Sequence, residues 1–398
     1  MITSKTVDQT DIRLINRSAI LELLRRNSPL SRNDVAKILH ISLPTVSRII
    51  DDLIEDGLVC IEGEKEWSGG RRRSRLRFCG ERQAILALDL SGTRLGGAVL
   101  TMQEELLQEQ TIDFVEVSGE RHLQRISELV DRLIRSTDLS GRTLRGIGLG
   151  IPGAVQDTPD GPVVWAPRLK WKDFPLKQCL ESQFSLPVLI ENDVNLAAIG
   201  EFWFGAGQQV RNMVLLSIGA GIGAGIILDG ALYRGSHHFA GEAGYILPGA
   251  QFLTGEHVEY GALESLASEG GLLQRSRRAL QGQVSADRLL QLQVDDVFQA
   301  YLQGEIWPGP ILDETYDLLA IAVGNIAVLL DPEVIVLGGS SSRYADLLIP
   351  PILERLEKAL PIRPRLVSST LKTNPVYLGA AAVVLHYTTG FSVMRRLT

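Results

Sequence analysis

Two segments of this chain repeat one pattern, and that repetition constrains the fold more than any other feature. AILALDLSGTRLGGAVL (84–100) and MVLLSIGAGIGAGIILDG (213–230) each read as an apolar strand, a Gly/Ser turn and a second apolar strand. An offset of 128 lays Asp89 on Ser217, Leu95 on Gly223 and Val99 on Ile227. Glycine turns between adjacent strands let backbone N–H groups come close to a phosphate, because no side chain intervenes. One such turn is more often a simple hairpin. Two in register, followed by VIVLGGS at 334–340, imply a duplicated half.

Composition narrows the setting. At 398 residues and 45% hydrophobic, the chain is long enough for two or three domains with their own cores. Its longest apolar runs, such as Ile85 to Leu88 and Val334 to Leu337, are strand-sized and far below the roughly 20 residues that cross a bilayer. No membrane partner is expected, and the N-terminus lacks a secretory pattern, so the expected location is the cytoplasm. Cys60, Cys79 and Cys179 form an odd, scattered set. They argue against a disulfide framework and are read as buried or idle thiols.

The net charge of −7 is unevenly spread: residues 1–80 carry +3 and the remaining 318 carry −10. Arg71, Arg72, Arg73, Arg75 and Arg77 fall within seven positions, after the turn-forming pair Gly69-Gly70. Ahead of them, Ile12, Ile15, Ala19, Leu23 and Leu24 predict a helix from Asp11 to Arg26. Ser31, with Asp34 three places on, predicts the cap of a short second helix. Ser42 begins a third, on which Val46, Ile49, Ile50, Leu53 and Ile54 make one apolar stripe closed by Gly57. Its other face starts with Thr45, Ser47 and Arg48, short polar and cationic side chains suited to base edges in a major groove. A small three-helix packing module would show the same helices. Strands at Leu58 to Ile61 and Ser74 to Phe78 add a β-wing, which puts the arginines where they reach phosphates or the minor groove, and favours a winged helix-turn-helix bound to double-stranded DNA.

From about Ile85 to Leu385 the chain resembles the ROK family of repressors and sugar kinases. The resemblance rests on DLSGT, IPGAV, WAPRLKW, IENDVN, SIGAGIGAGIILDGALYRG, AGEAGY and LGGS. It implies an α/β actin-like ATPase fold in two lobes that enclose a cleft, and the winged helix is what the family's repressors carry. The domains are then 1–80, winged helix-turn-helix; 81–200, first lobe; and 201–398, second lobe, with C-terminal helices able to return to the first. By resemblance Gly153, Asn192, Asp193, Glu242, Tyr245 and Glu264 bind a sugar, Asp193 being the general base in a kinase. Paired carboxylates and amides suit vicinal hydroxyls, which both donate and accept. A capped helix start is the plainer reading of Asn192 and Asp193. The nucleotide-like motifs are Asp89, Ser91, Gly92 and Thr93; Gly219 and Gly221; and Gly338 and Gly339.

The chain departs from the kinase pattern in two places. The family's zinc-binding histidine is Tyr245 here, and its three cysteines are Gly255, His257 and Ala262, so no thiolate remains and no metal is expected. His237, His238 and His257 offer only an improvised set. Tyr245 either offers its hydroxyl to the ligand or fills space. In the phosphate motifs Ala220 lacks the hydroxyl of the kinase threonine, and Ser91 adds a side chain where a nucleotide would approach. The expectation is a sugar-responsive transcriptional repressor with vestigial kinase chemistry and no cofactor. Its partners are a DNA operator and a monosaccharide or sugar-phosphate effector, and it works as a homodimer or dimer of dimers. A sugar kinase with an attached DNA-binding domain is the alternative.

Overall fold

The computed structural model describes residues 9–62, 74–90, 94–114, 119–158, 161–166, 169–172, 174–253 and 260–389. Helices α1 (Gln9–Asn27), α2 (Arg32–Leu39) and α3 (Leu43–Glu55) lead into an antiparallel pair, β1 (Val59–Glu62) and β2 (Arg75–Phe78). Local chemistry sets these boundaries. Ser31 and Asp34 form a reciprocal capping box at α2, with the Ser31 N–H donating to Asp34 Oδ2 at 3.0 Å and the Asp34 N–H to Ser31 Oγ at 3.2 Å. Ser42 caps α3, Pro44 occupies its first turn, and Gly57 takes a left-handed φ of +70° just past its end. Val46, Ile49, Ile50 and Leu53 are buried, each worth about 1.5–3 kcal/mol. Ile54, counted in the same stripe, is only half-buried.

One expectation is corrected at this hairpin. Cys60 and Cys79 are joined in a disulfide, Cα to Cα 5.9 Å, and Cys179 is the free thiol. Antiparallel pairing places Cys60 opposite Arg77, and the Cys79 N–H donates to the Leu58 carbonyl. Two cysteines 19 positions apart thus meet across the base of the wing.

Beyond the hairpin come β3 (Gln83–Asp89), β4 (Arg94–Thr101), β5 (Leu106–Asp113), α4 (Gly119–Ser136) and β6 (Thr143–Ile151). A small sheet of β7 (Ala154–Thr158), β8 (Gly161–Ala166) and β9 (Trp171–Lys172) follows, then α5 (Leu176–Phe184), β10 (Val188–Asn192) and α6 (Asp193–Phe204). Next are β11 (Met213–Ile218), β12 (Ile222–Leu228), β13 (Ala231–Leu232), α7 (Ala262–Ala267), α8 (Glu269–Leu280), α9 (Ala286–Gln291), α10 (Val294–Leu302) and α11 (Pro308–Leu330). The last elements are β14 (Val334–Gly338), α12 (Ala345–Ala359), β15 (Leu366–Ser368) and α13 (Pro375–Thr389).

The repeated pattern becomes two five-stranded sheets of one topology, β10-β6-β3-β4-β5 and β13-β12-β11-β14-β15. In each, three strands form an antiparallel meander, and two further strands add in parallel beside its first strand. The two turns differ in length. Asp89 pairs with Gly96, and Ser217 with Gly223, so the second turn is one residue shorter and the offset falls from 128 before the turn to 127 after it.

By contacts the chain forms two units, Met1–Asp193 with Val376–Thr398, and Val194–Pro375. Each has its own core: Leu86, Leu88, Ile147 and Leu149 among others in the first, Val214, Leu216, Ile335 and Leu337 among others in the second. Helix α13 lies against the first sheet, where glycine makes room for it. A Cβ on Gly148 would stand 2.7 Å from the Cβ of Ala380, and one on Gly146 3.1 Å from Val384. Among the described residues, no helix is long and apolar enough to cross a membrane.

Candidate functional site

The side chains that the sequence marks as functional fall into three groups. At the DNA-facing end, the polar face of α3 starts with Thr45 and Ser47, half-buried, and Arg48, exposed. The Thr45 hydroxyl is shared with the capping Ser42 hydroxyl at 2.8 Å. Arg32 bridges α2 to α3, donating to the Ser47 carbonyl at 3.2 Å and to Asp51 at 2.6 Å, which lowers the Asp51 pKa. Arg71, Arg72 and Arg73 lie outside the described residues. Of the neighbouring arginines, Arg75 is exposed on β2 and Arg77 is held by Glu81 at 2.7 Å.

In the first unit, β10 runs directly into α6, so Asn192 ends a strand and Asp193 opens a helix. Strand ends that face a helix start are where α/β sheets commonly hold ligands. The Asn192 carboxamide donates to the Gly153 carbonyl at 3.0 Å, and its backbone N–H donates to the Glu191 carboxylate, also at 3.0 Å. Gly153, Asn192 and Asp193 are therefore brought together, with both side chains half-buried. Asp89, at the end of β3, is buried at 8% exposure, while Ser91, Gly92 and Thr93 lie outside the described residues. Nearby in the same unit, the buried His122 accepts a hydrogen bond at Nδ1 from the Trp171 indole N–H at 2.9 Å and stacks on Phe114 at 4.5 Å.

In the second unit, a 3₁₀ turn from Ala243 to Tyr245, with Glu242 just before it, packs against α7, which carries Glu264. Glycines make the close approach. A Cβ at Gly261 would fall 2.2 Å from the Gly244 carbonyl oxygen, and Gly241 takes a φ of +93°. The Glu264 carboxylate accepts the Ile222 N–H at 2.8 Å, which ties it to the second glycine turn. Tyr245 is 37% exposed, its ring 5.6 Å from Phe239. Of the family's zinc positions, Tyr245 and Ala262 are described and supply neither imidazole nor thiolate, so the donor set does not fit a tetrahedral zinc; Gly255 and His257 lie outside the described residues. Among the described residues no group of three or more His, Cys, Asp and Glu is arranged to hold a metal.

The nucleotide-like glycines of this unit also meet. Ser217 pairs with Gly338, a Cβ on Gly219 would stand 2.7 Å from Ser340 Oγ, and one on Gly339 would stand 2.4 Å from the Ile218 carbonyl oxygen. A residue that the sequence did not flag sits among them. Glu269, at the first position of α8, donates its N–H to the Gly219 carbonyl at 2.9 Å, and its carboxylate accepts the Ser340 hydroxyl at 2.7 Å and the Ser341 hydroxyl at 3.4 Å. The local signal was the Ser268-Glu269 pair, a helix cap followed by an acid, but nothing local told that its partners lie 71 and 72 positions away. A carboxylate at a helix N-terminus is favoured by the helix dipole.

Comparison with known proteins adds two matches. Residues 85–386 match the ROK family, and residues 13–59 match winged helix-turn-helix DNA-binding domains. The chain belongs to the ROK family. Within it, the chain is 29% identical over 392 residues to a xylose repressor of Caldicellulosiruptor bescii, covering 95% of this chain and 97% of that protein. It is 35% identical over 293 residues to a glucokinase of Halalkalibacterium halodurans, covering 69% of this chain and 86% of that one. The crystal structure of a ROK family transcriptional regulator, a homolog of the E. coli MLC protein, matches with a TM-score of 0.83 at 25% identity over 96% of this chain and 98% of that chain. The glucokinase match falls short of the whole chain. The ROK repressor and regulator matches cover nearly all of it.

Proposed function

We propose that the protein is a sugar-responsive transcriptional repressor: the winged helix holds an operator, and the ROK body binds a monosaccharide or sugar phosphate that changes operator affinity. The observation that carries this reading is the winged helix-turn-helix joined to a ROK body, an arrangement shared along nearly the whole length of a xylose repressor. Asn192 and Asp193 are assigned to sugar hydroxyls, as are Glu242, Tyr245 and Glu264. Gly153 orients Asn192 by accepting its carboxamide. D-xylose is the first effector to test, because xylose repressors are prominent among the relatives.

Kinase activity is assigned as vestigial. Asp193 retains the carboxylate a kinase would use as base, but Glu269 puts a negative charge against the glycine turns where a nucleotide's phosphates would have to lie. A carboxylate so placed disfavours the approach of a phosphate, which carries charge of the same sign. Ala220 offers no hydroxyl there either. The test is fluorescence anisotropy on an operator selected from random duplexes by the full chain, titrated with D-xylose, D-glucose, N-acetylglucosamine and their phosphates, beside a coupled assay for ATP consumption. One sugar should release the operator without measurable turnover. Turnover of several per second would establish the kinase reading instead.

A further inference from the structure

The C-terminal end of the recognition helix is finished by side chains from the sheet behind it. Asp56 is the C-cap of α3 and Gly57 follows in the left-handed conformation. The carbonyls of these two residues are accepted into a network from two neighbouring strands. Arg145, on β6, donates one guanidinium N–H to the Asp56 carbonyl and another, through Nε, to Gln83 Oε1 at 2.6 Å. Gln83, on β3 and only 1% exposed, donates its amide to the Gly57 carbonyl at 2.6 Å. The Asp56 carboxylate in turn pairs with Arg17 of α1 at 2.5 Å. A helix end leaves orphan carbonyls and a partial negative charge, and a rigid cationic fork satisfies both.

The same two strands lead to the ligand-associated residues. β3 and β6 are parallel and hydrogen-bonded from Gln83 beside Thr143 to Asp89 beside Gly150. β6 continues through Ile151 to Gly153, whose carbonyl accepts the Asn192 carboxamide. Arg145 lies at a register shift of the β3–β6 pairing, between Leu144 and Ile147, and the strand runs on from there to Ile151, a span of about 20 Å at about 3.3 Å per residue. A sugar hydroxyl bound by the Asn192 carboxamide bears on the Gly153 carbonyl that orients it, so occupancy acts on the far end of the strand that holds the helix.

We propose that Arg145, seated by Gln83, is the joint that transmits sugar occupancy at Asn192 to the DNA-recognition helix. Both are positioning residues: neither touches sugar or DNA, and both fix where α3 ends. Hydrogen bonds of this kind weaken steeply with small changes in angle and distance, so a shift of about 1 Å along β6 is enough to release or tighten the helix end. The joint rests on the repressor reading and adds the route by which the two sites communicate.

The test uses the full chain and measures two quantities for wild type, Arg145→Ala and Arg145→Lys: sugar affinity by calorimetry, and the ratio of operator Kd with saturating D-xylose to that without it, with D-glucose run in parallel. Wild type should show a ratio of about thirty, the scale of ordinary allosteric coupling. Arg145→Ala should lower the ratio to below about three while keeping sugar affinity within about two-fold. Arg145→Lys keeps the charge but loses the fork, and should fall between. A structural cap alone would weaken operator binding equally with and without sugar, so an unchanged ratio in Arg145→Ala overturns the joint. If that variant does not fold, a wild-type ratio in Arg145→Lys overturns it. A wild type whose operator binding ignores both sugars would remove the repressor reading for those effectors, and the joint with it.

Discussion

Asp193 occupies the first turn of α6, where a carboxylate is favoured by the helix dipole whether or not a sugar is present. Helix-start and sugar-ligand roles therefore make different predictions for Asp193→Asn. Asparagine also favours helix starts, so the fold should persist, with a thermal midpoint within a few degrees of wild type. Sugar response should be lost, because an acceptor becomes a group with a donor edge toward the same hydroxyl. Operator release measured against sugar concentration checks this, and unchanged release would remove Asp193 from the sugar site. Other single residues differ in how far the sequence announced them. Ser31, Asp34 and Ser42 were legible because a cap acts on residues three places away. Glu269 was not, since its meaning depends on Ser340, and Cys60 and Cys79 were misread because an odd count hides a pair that only the hairpin creates.

At the scale of elements, helix α3 and the wing should contribute to DNA binding in different ways. Arg48 is exposed on the polar side of α3, so on the repressor reading Arg48→Ala should cost operator affinity by about 1–3 kcal/mol while leaving binding to random duplex nearly unchanged. Replacing Arg71 and Arg72 by alanine should weaken both alike and flatten the dependence of log K on log salt by about two. Anisotropy at several salt concentrations separates these outcomes. A second element, the strand β9, is held to α4 by the bond from Trp171 to His122. Burial holds the His122 pKa below the ordinary imidazole value, so the neutral form is the one the fold prefers. Its contribution is fully present above the ordinary pKa and is lost as pH falls through the folded value. Midpoints measured at pH 7 and pH 5 should therefore differ less for His122→Gln than for wild type, by a few degrees for about 1 kcal/mol. The helical head and duplicated hairpins were readable from periodicity and glycine placement. The one-residue shortening of the second turn was not, because both turns join apolar strands through small residues and only strand pairing counts their length.

For the whole molecule, the repressor reading predicts symmetry in the DNA. A winged helix works on a palindrome as a pair, so the selected operator should contain two half-sites whose centres are whole helical turns apart, about 10 bp or a multiple. Inserting five base pairs between them should lower affinity at least ten-fold, and ten should restore most of it. A single unpaired half-site bound at full affinity would contradict a dimeric repressor. Chain order adds another consequence. The first unit is interrupted: its sheet is laid down by Asn192, but the helix α13 that fits over Gly146 and Gly148 is made only after roughly 180 further residues. At about 5–20 residues per second, a ribosome takes some 10–40 s to reach it. The Val194–Pro375 unit, contiguous in the chain, can condense in that interval while the sheet beside the DNA-binding head still waits for its cover. During synthesis, then, every element of the second unit is made before the helix that covers the first sheet.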